Sequence, residues 1–297
     1  MATLSASAYP DHLRAEVDRY LESLRFSSEP ATAGLEEAMR YSLLAGGKRI
    51  RPVLALGTAR AIDRPSAWVL PLAAAIELIH TYSLIHDDLP AMDDDDLRRG
   101  RPTCHRAYGE DVAILAGDGL YAEAFELLLS RQEAEPAALL AAARELAAAT
   151  GVSGMVGGQF IDVAGSAPDG PRGLRRLHEL KTGRLIAASI ECVLLLAGTV
   201  EPDRMSGFRA FASELGVLFQ IIDDILDVTG SQEALGKRQG QDERLGKRTY
   251  VTEFGLHGAR QLAVESHRRA RAQLATAAPG GGTELEQISD FIATRTF

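Results

Sequence analysis

Residues 66–88 read as one long helix, apolar on more than one face, with Pro71 near its start where a proline is tolerated. Such a helix belongs inside a bundle and not on its surface. Its end does not suit an ordinary core helix. From Asp87 the chain runs Asp-Asp-Leu-Pro-Ala-Met-Asp-Asp-Asp-Asp-Leu-Arg-Arg-Gly-Arg-Pro, with six carboxylates in ten residues and then three arginines. Like charges at that range repel, and water, arginine or metal has to offset the cost.

The rest of the chain repeats the helical reading. Leu13, Val17, Tyr20, Leu21 and Leu24 fall on one helical face. Helices are predicted over 33–45, 109–132, 136–150, 154–164, 171–198, 203–229 and 251–277. Gly46-Gly47 reads as a C-cap, and Pro279-Gly280-Gly281-Gly282 breaks the chain before a last helix over 284–293. The segments 171–198 and 203–229 are, like 66–88, apolar on more than one face. No alternating strand pattern is found. Alanine and leucine are abundant and β-branched residues sparse, which favours helix. The expectation is one all-α domain over residues 1–297, a single large bundle of about ten helices.

Bulk properties exclude several functions. A formal net charge of −9 argues against nucleic-acid binding, though not against a small anion at a local basic pocket. Two cysteines, Cys104 and Cys192, make neither a disulfide scaffold nor a CxxC metal site. Met1 to Pro10 lacks a basic-then-apolar leader, and no uninterrupted apolar run reaches membrane-spanning length. No membrane insertion and a cytoplasmic location are therefore expected, and a homodimer is plausible for so apolar a bundle.

A second acidic cluster is Phe219-Gln220-Ile221-Ile222-Asp223-Asp224-Ile225-Leu226-Asp227. Asp223 and Asp227 stand one turn apart on one helical face, a good site for a hard divalent cation. Magnesium takes one or two carboxylates, keeps waters and adds substrate phosphate oxygens. As a helix end the pair would oppose the macrodipole, so capping is a poor explanation. In the first cluster the DDxxxxD spacing is not a same-face spacing, and Pro90 should end the helix. For Asp93 to join Asp87 at one site, the backbone must bulge. Asp94 to Asp96 read as an acidic surface loop.

Cations sit in separate groups: Lys48 and Arg51 after Gly46-Gly47, then Arg98-Arg99, Lys181-Thr182, and Lys237 and Lys247 in a Gly-rich stretch. Glycines with Lys and Arg suit an anion, and forked guanidinium donors suit phosphate oxygens. Each alone is an ordinary surface residue; their conjunction with two aspartate motifs suggests substrates carrying more than one diphosphate. GxxxxGK[ST], GxSxG and HExxH are all absent. Metal-assisted departure of a good leaving group fits best.

These motifs resemble those of the trans-isoprenyl diphosphate synthases, the polyprenyl synthetase family, and in it the bacterial farnesyl type. GGKRIRP at 46–52, DDLPAMDDDDLRRGRPTCH at 87–105, GQFID at 158–162, KTG at 181–183, FQIIDDILD at 219–227 and GKRQGQDERLGKRTY at 236–250 follow in the family's order. The resemblance implies the isoprenoid synthase fold, an all-α bundle around a deep central cavity, usually dimeric. It implies head-to-tail joining of isopentenyl diphosphate to an allylic diphosphate, dimethylallyl or geranyl. It places Asp87, Asp88 and Asp93 opposite Asp223, Asp224 and Asp227, with three Mg2+ ions between them. Arg98, Lys181, Lys237 and Lys247 resemble ligands of the allylic diphosphate, and Lys48, Arg51, His80 and Arg99 those of isopentenyl diphosphate. Thr182 and Gln220 resemble groups facing the developing carbocation, with Gln159 and Asp162 nearby. A mobile 235–249 loop would close over the site. His86 reads as structural.

Tyr82 and Ser83 lie five and four residues before Asp87, about 6–8 Å deeper along a helix. A tyrosine ring there could stop the growing chain, and Tyr82 with the two extra residues of the first motif resembles the bacterial farnesyl type, so the resemblance implies a fifteen-carbon product. The related geranylgeranyl synthases share the longer first motif and usually carry a smaller or non-aromatic residue at the Tyr82 position. Tyr250-Val251, where the family often has Tyr-Pro, should affect closure only slightly. A non-catalytic partner subunit on the same fold typically loses one aspartate motif, and both are present here. Cyclases have no use for GGKRIRP, and no EF-hand spacing supports a cation buffer.

Overall fold

The computed structural model describes residues 9–198, 200–230 and 247–295. Among them are thirteen α-helices: α1 Asp11–Ser23, α2 Ala33–Leu43, α3 Ile50–Ala61, α4 Leu70–Asp87, α5 Cys104–Tyr108, α6 Glu110–Arg131, α7 Pro136–Thr150, α8 Met155–Val163, α9 Gly170–His178, α10 Arg184–Ala197, α11 Pro202–Thr229, α12 Tyr250–Ala277 and α13 Thr283–Thr294. The fold is the expected all-α bundle. α4, α10 and α11, each apolar on more than one face, lie in its interior and pack with α3, α6, α7 and α12.

Five local features depart from the sequence reading. Helix α3 was not predicted; it is buried on almost every side, from Ile50 to Ala61, and a helix apolar all round carries no period to detect. A two-stranded hairpin, β1 Leu97–Arg98 and β2 Arg101–Pro102, pairs Arg98 with Arg101. Its loop is Arg99-Gly100, both at positive φ (53° and 74°), as a type I′ turn requires. The segment predicted as one helix over 171–198 contains a π-helical turn at Glu179–Gly183 between α9 and α10. Helix α12 kinks at Gly255. Helix α2 also stops at Leu43, before the glycines predicted to cap it.

Close packing fixes where the interior helices meet. A Cβ on Gly117 of α6 would lie 2.2 Å from His86 Nε2, so only glycine lets α6 seat the His86 ring. His86 Nε2 lies 3.1 Å from the carbonyl of Ile114, and the ring also lines the cavity described below. Ser66–Asp87 has the length and hydropathy of a bilayer span, and burial in this core explains its composition. Pro136–Val163 passes the same test but is less buried, and Leu140, Val152, Phe160 and Val163 stay exposed.

Candidate active site

The first aspartate motif begins as α4 ends. Past Asp87 the chain turns, and the Asp93 N–H donates to the Asp87 carbonyl (2.9 Å) while the Asp95 N–H donates to that of Asp88 (3.2 Å). Asp93 is thereby folded back to the helix end across the six-residue gap, as the expected bulge requires. Asp87 Oδ1 accepts from Gln159 Nε2 (2.9 Å). Burial pushes the Asp87 carboxyl up to about 6, with Lys181 opposing and Asp93 adding to the rise. Asp88 faces the other way. It is buried and gripped in a fork by Arg98, with Nε 2.9 Å from both oxygens and Nη2 2.6 Å from Oδ1.

The second motif lies on unbroken helix. Asp223 keeps 40% of its side-chain surface exposed and accepts from Arg295 Nη2 at 2.9 Å. Asp224 and Asp227 are buried, at 1% and 4% exposure. Asp224 Oδ1 accepts from Gln220 Nε2 (2.7 Å), and Oδ2 accepts from the backbone N–H of Tyr250, the first residue of α12 (2.7 Å).

The cation groups separate into two sets. Arg51 Nη1 lies 3.3 Å from His80 Nε2. Burial and the neighbouring Arg51 charge hold His80 well below the usual histidine range, so it is neutral. Arg51 and Arg295 share the ring of Phe219, at 5.8 and 4.7 Å. Arg99 donates to the carbonyl of Gly46, and its guanidinium packs on Gly47. Lys48 is not drawn to Arg51; its ammonium stands over Tyr9 and Phe291, at 5.7 and 5.1 Å. Between them Arg49, to which sequence reasoning gave no role, is buried and bonds Asp18, Glu77 and the carbonyl of Leu43. Its left-handed backbone (φ 53°) is the anchor of the GGKRIRP loop.

The other set is held by carboxylates. Lys181 Nζ lies 2.6 Å from Asp162 Oδ2, and Lys247 Nζ lies 3.1 Å from Asp93 Oδ1 and 3.9 Å from Asp162 Oδ2. Asp162 sits between two lysines, and Lys247 links it to the first motif. Lys237 lies outside the described residues. The π-helical turn carries Lys181 and Thr182, and π turns recur at functional sites. Gly183 of that turn lies against Gly216 of α11, where an added Cβ would come within 3.0 Å. This close approach lets Thr182 Oγ1 donate to Gln220 Oε1 at 3.2 Å.

Beneath the first motif lies a cavity of about 600 Å3 lined by Tyr82, Ser83, Asp87, Met155, Gln159 and Thr182 among others. Tyr82 and Ser83 stand on its wall. Tyr82 is backed by an aromatic ladder: Tyr121 at 5.1 Å and Phe125 a further 5.4 Å on, with His86 at 5.3 Å. Sequence reasoning missed Tyr121 and Phe125, although their i, i+4 spacing on α6 was a readable signal. His178 was also unassigned. It stacks on Tyr250 (5.5 Å), beside a polar pocket of about 60 Å3 that it shares with Lys181, Gln220, Asp224 and Lys247. Burial pulls it down to about 4.

The donor set suits a hard cation. Asp87, Asp93 and Asp223 offer carboxylate oxygens, and a cation would favour the ionised form that burial disfavours at Asp87. Among the described residues no three His, Cys, Asp or Glu side chains form a closed metal cage. An ion here would take one or two carboxylates and complete its shell with water and phosphate oxygens, which is magnesium's habit.

Comparison with known proteins gives the family. The polyprenyl synthetase family model matches residues 32–277. The chain is 41% identical over 302 residues to the farnesyl diphosphate synthase of Geobacillus stearothermophilus, covering 99% of each. It is 44% identical over 267 residues to geranylgeranyl pyrophosphate synthase 9, chloroplastic, of Arabidopsis thaliana, covering 88% of this chain and 74% of that one. The crystal structure of a geranyltransferase from Helicobacter pylori, complexed with magnesium and isoprenyl diphosphate, superposes with a TM-score of 0.85 at 33% identity, covering 94% of both.

Proposed function

This chain belongs to the polyprenyl synthetase family and is a trans-prenyltransferase, and we propose that it condenses isopentenyl diphosphate with dimethylallyl and then geranyl diphosphate to give farnesyl diphosphate and pyrophosphate. The observation that carries this reading is the cavity: Asp87, Lys181 and Arg51 in its lining, largely apolar side chains around them, and a tyrosine backed by two further aromatic rings.

Arg98, Lys181 and Lys247, with Lys237, hold the allylic diphosphate. Arg51, His80, Arg99 and Lys48 hold isopentenyl diphosphate. Asp87, Asp93 and Asp223 are the proposed ligands of Mg2+, three ions with substrate bound, and Asp88 keeps Arg98 in place. The metal would supply charge that stabilises the departing pyrophosphate. The cationic side chains add to that stabilisation at the oxygens where charge develops. Thr182, whose hydroxyl donates to Gln220, turns its oxygen lone pairs toward the allylic carbon as it becomes positive, and the apolar walls keep water from it. The isopentenyl double bond then attacks that carbon. Pyrophosphate takes the proton lost from the new product, which leaves no task for a protein base.

A homodimer is proposed as well. The exposed Leu115, Leu129, Leu140 and Val152 on and beside α6 and α7 support it, because a second copy would cover them.

Product length is the finer part of the reading. Replacing Tyr82 by Ala opens the wall only as far as Tyr121. With geranyl diphosphate as primer, wild type should give the fifteen-carbon product, and Tyr82→Ala should shift a large share to twenty carbons. An unchanged product distribution would move the stop elsewhere. The second reading is a twenty-carbon product from the wild type, favoured by the equal closeness of the plant geranylgeranyl synthase.

A further inference from the structure

We infer that Asp224 is a positioning residue that fixes which way the Gln220 amide and the Thr182 hydroxyl point, in place of a role as metal ligand. The inference rests on the proposed carbocation chemistry of the cavity. Three hydrogen bonds form one directed chain. The Tyr250 N–H donates to Asp224 Oδ2 (2.7 Å), Gln220 Nε2 donates to Asp224 Oδ1 (2.7 Å), and Thr182 Oγ1 donates to Gln220 Oε1 (3.2 Å).

The direction follows from what each group can do. A carboxylate only accepts, and Asp224 already accepts from the start of α12. Gln220, one turn earlier on the same helix, must therefore present its NH2 to Asp224. That leaves its carbonyl oxygen for Thr182, whose hydroxyl must act as the donor. With its proton committed to Gln220, Thr182 offers only lone pairs to whatever occupies the cavity it lines. A lone pair facing an allylic carbon favours positive charge there, whereas an O–H turned inward would oppose it. Asp224 lines the small polar pocket beside His178 and not the cavity beneath the first motif, is 1% exposed, and reaches Thr182 through Gln220.

Asp224→Asn tests the chain with almost no change of shape. The asparagine oxygen still accepts from Tyr250, so α12 keeps its anchor. Its NH2 now faces Gln220, which must flip, and Thr182 must turn its proton toward the cavity. The expected result is a fall in kcat of about 30-fold, with KM for both diphosphates within about twofold of wild type. Asp224→Asn with Gln220→Glu exchanges amide and carboxylate, restores Thr182 as donor, and should recover most of the lost kcat. Calorimetric titration with magnesium and inorganic pyrophosphate should give the same affinity in wild type and Asp224→Asn. Unchanged kcat in Asp224→Asn, no rescue by Gln220→Glu, or weakened magnesium–pyrophosphate binding would each overturn the inference. A neutron structure of the wild type supplies a test that needs no variant: the Thr182 deuterium should lie on the line to Gln220 Oε1, and one directed into the cavity would contradict the inference. Wild-type protein that makes no prenyl product would instead overturn the proposed function, a separate outcome.

Discussion

The two aspartate motifs have similar composition and opposite construction. The first is built on a turn. α4 ends at Asp87, the chain folds back through Asp93, and Arg98 of the following hairpin holds Asp88. The second is built on an unbroken helix, where Asp223, Asp224 and Asp227 differ in direction only because a helix turns about 100° per residue. In both, the middle aspartate is buried and tied to protein: Asp88 to an arginine, Asp224 to a helix N-terminus and a glutamine. The comparison teaches that a run of acids is not one site. At each motif the first carboxylate is the more exposed, and its neighbour secures the surrounding structure.

The largest break in that comparison comes from Asp87→Asn. It keeps the volume and removes a metal-facing charge, and kcat should fall about 1,000-fold in steady-state assays with magnesium. A loss below tenfold would show that the first motif does not carry the chemistry.

Next comes the difference between the two arginine partners. Arg98→Met leaves the buried Asp88 carboxylate without its fork and should cost about 3 kcal/mol. Arg295→Met frees Asp223, which is 40% exposed and can be hydrated, and should cost below about 1 kcal/mol. Thermal unfolding of the two variants measures both, and equal losses would remove the distinction drawn between a structural and an open aspartate.

The smallest effect concerns pH, and it separates the two regions by sign. In metal-free protein the Asp87 carboxyl is raised from 3.8 to about 6, so the folded state binds its proton more tightly. Its contribution is fully present below pH 4 and is lost as pH rises to 6. His178, beside the second motif, is lowered from 6.5 to about 4, so its contribution is present above 6.5 and is lost as pH falls to 4. Each is on the order of 1–2 kcal/mol after screening, and in wild type they partly cancel. Unfolding midpoints between pH 4 and 6.5, with chelator present, should rise with pH more steeply in Asp87→Asn than in wild type. In His178→Gln they should fall with pH. Parallel profiles in all three proteins would contradict both assignments.

The sequence made the bundle readable wherever a helix had one wet face or a clear break, as at α1, α7 and the glycines before α13. It could not mark α3, whose burial erases any period, nor the Arg99-Gly100 turn, where an arginine takes a backbone more usual for glycine. At the site, residue types and order located both motifs, the cavity wall at Tyr82 and Ser83, and the Lys181-Thr182 pair. Spacing could not say that Asp162 pairs with Lys181 and lies close to Lys247, or that Arg49 anchors the loop between Lys48 and Arg51, because those contacts join residues from 19 to 85 positions apart or depend on burial. Partners across the fold are set by packing, and packing leaves no local pattern.

The most direct test of the account is incorporation of labelled isopentenyl diphosphate. Purified protein with magnesium and either dimethylallyl or geranyl diphosphate is assayed, and the dephosphorylated alcohols are separated by length. The account expects label in farnesol with both primers and one pyrophosphate released per isopentenyl unit added. Label that stays in isopentenyl diphosphate with either primer, in protein that is folded and binds magnesium with pyrophosphate, would contradict it.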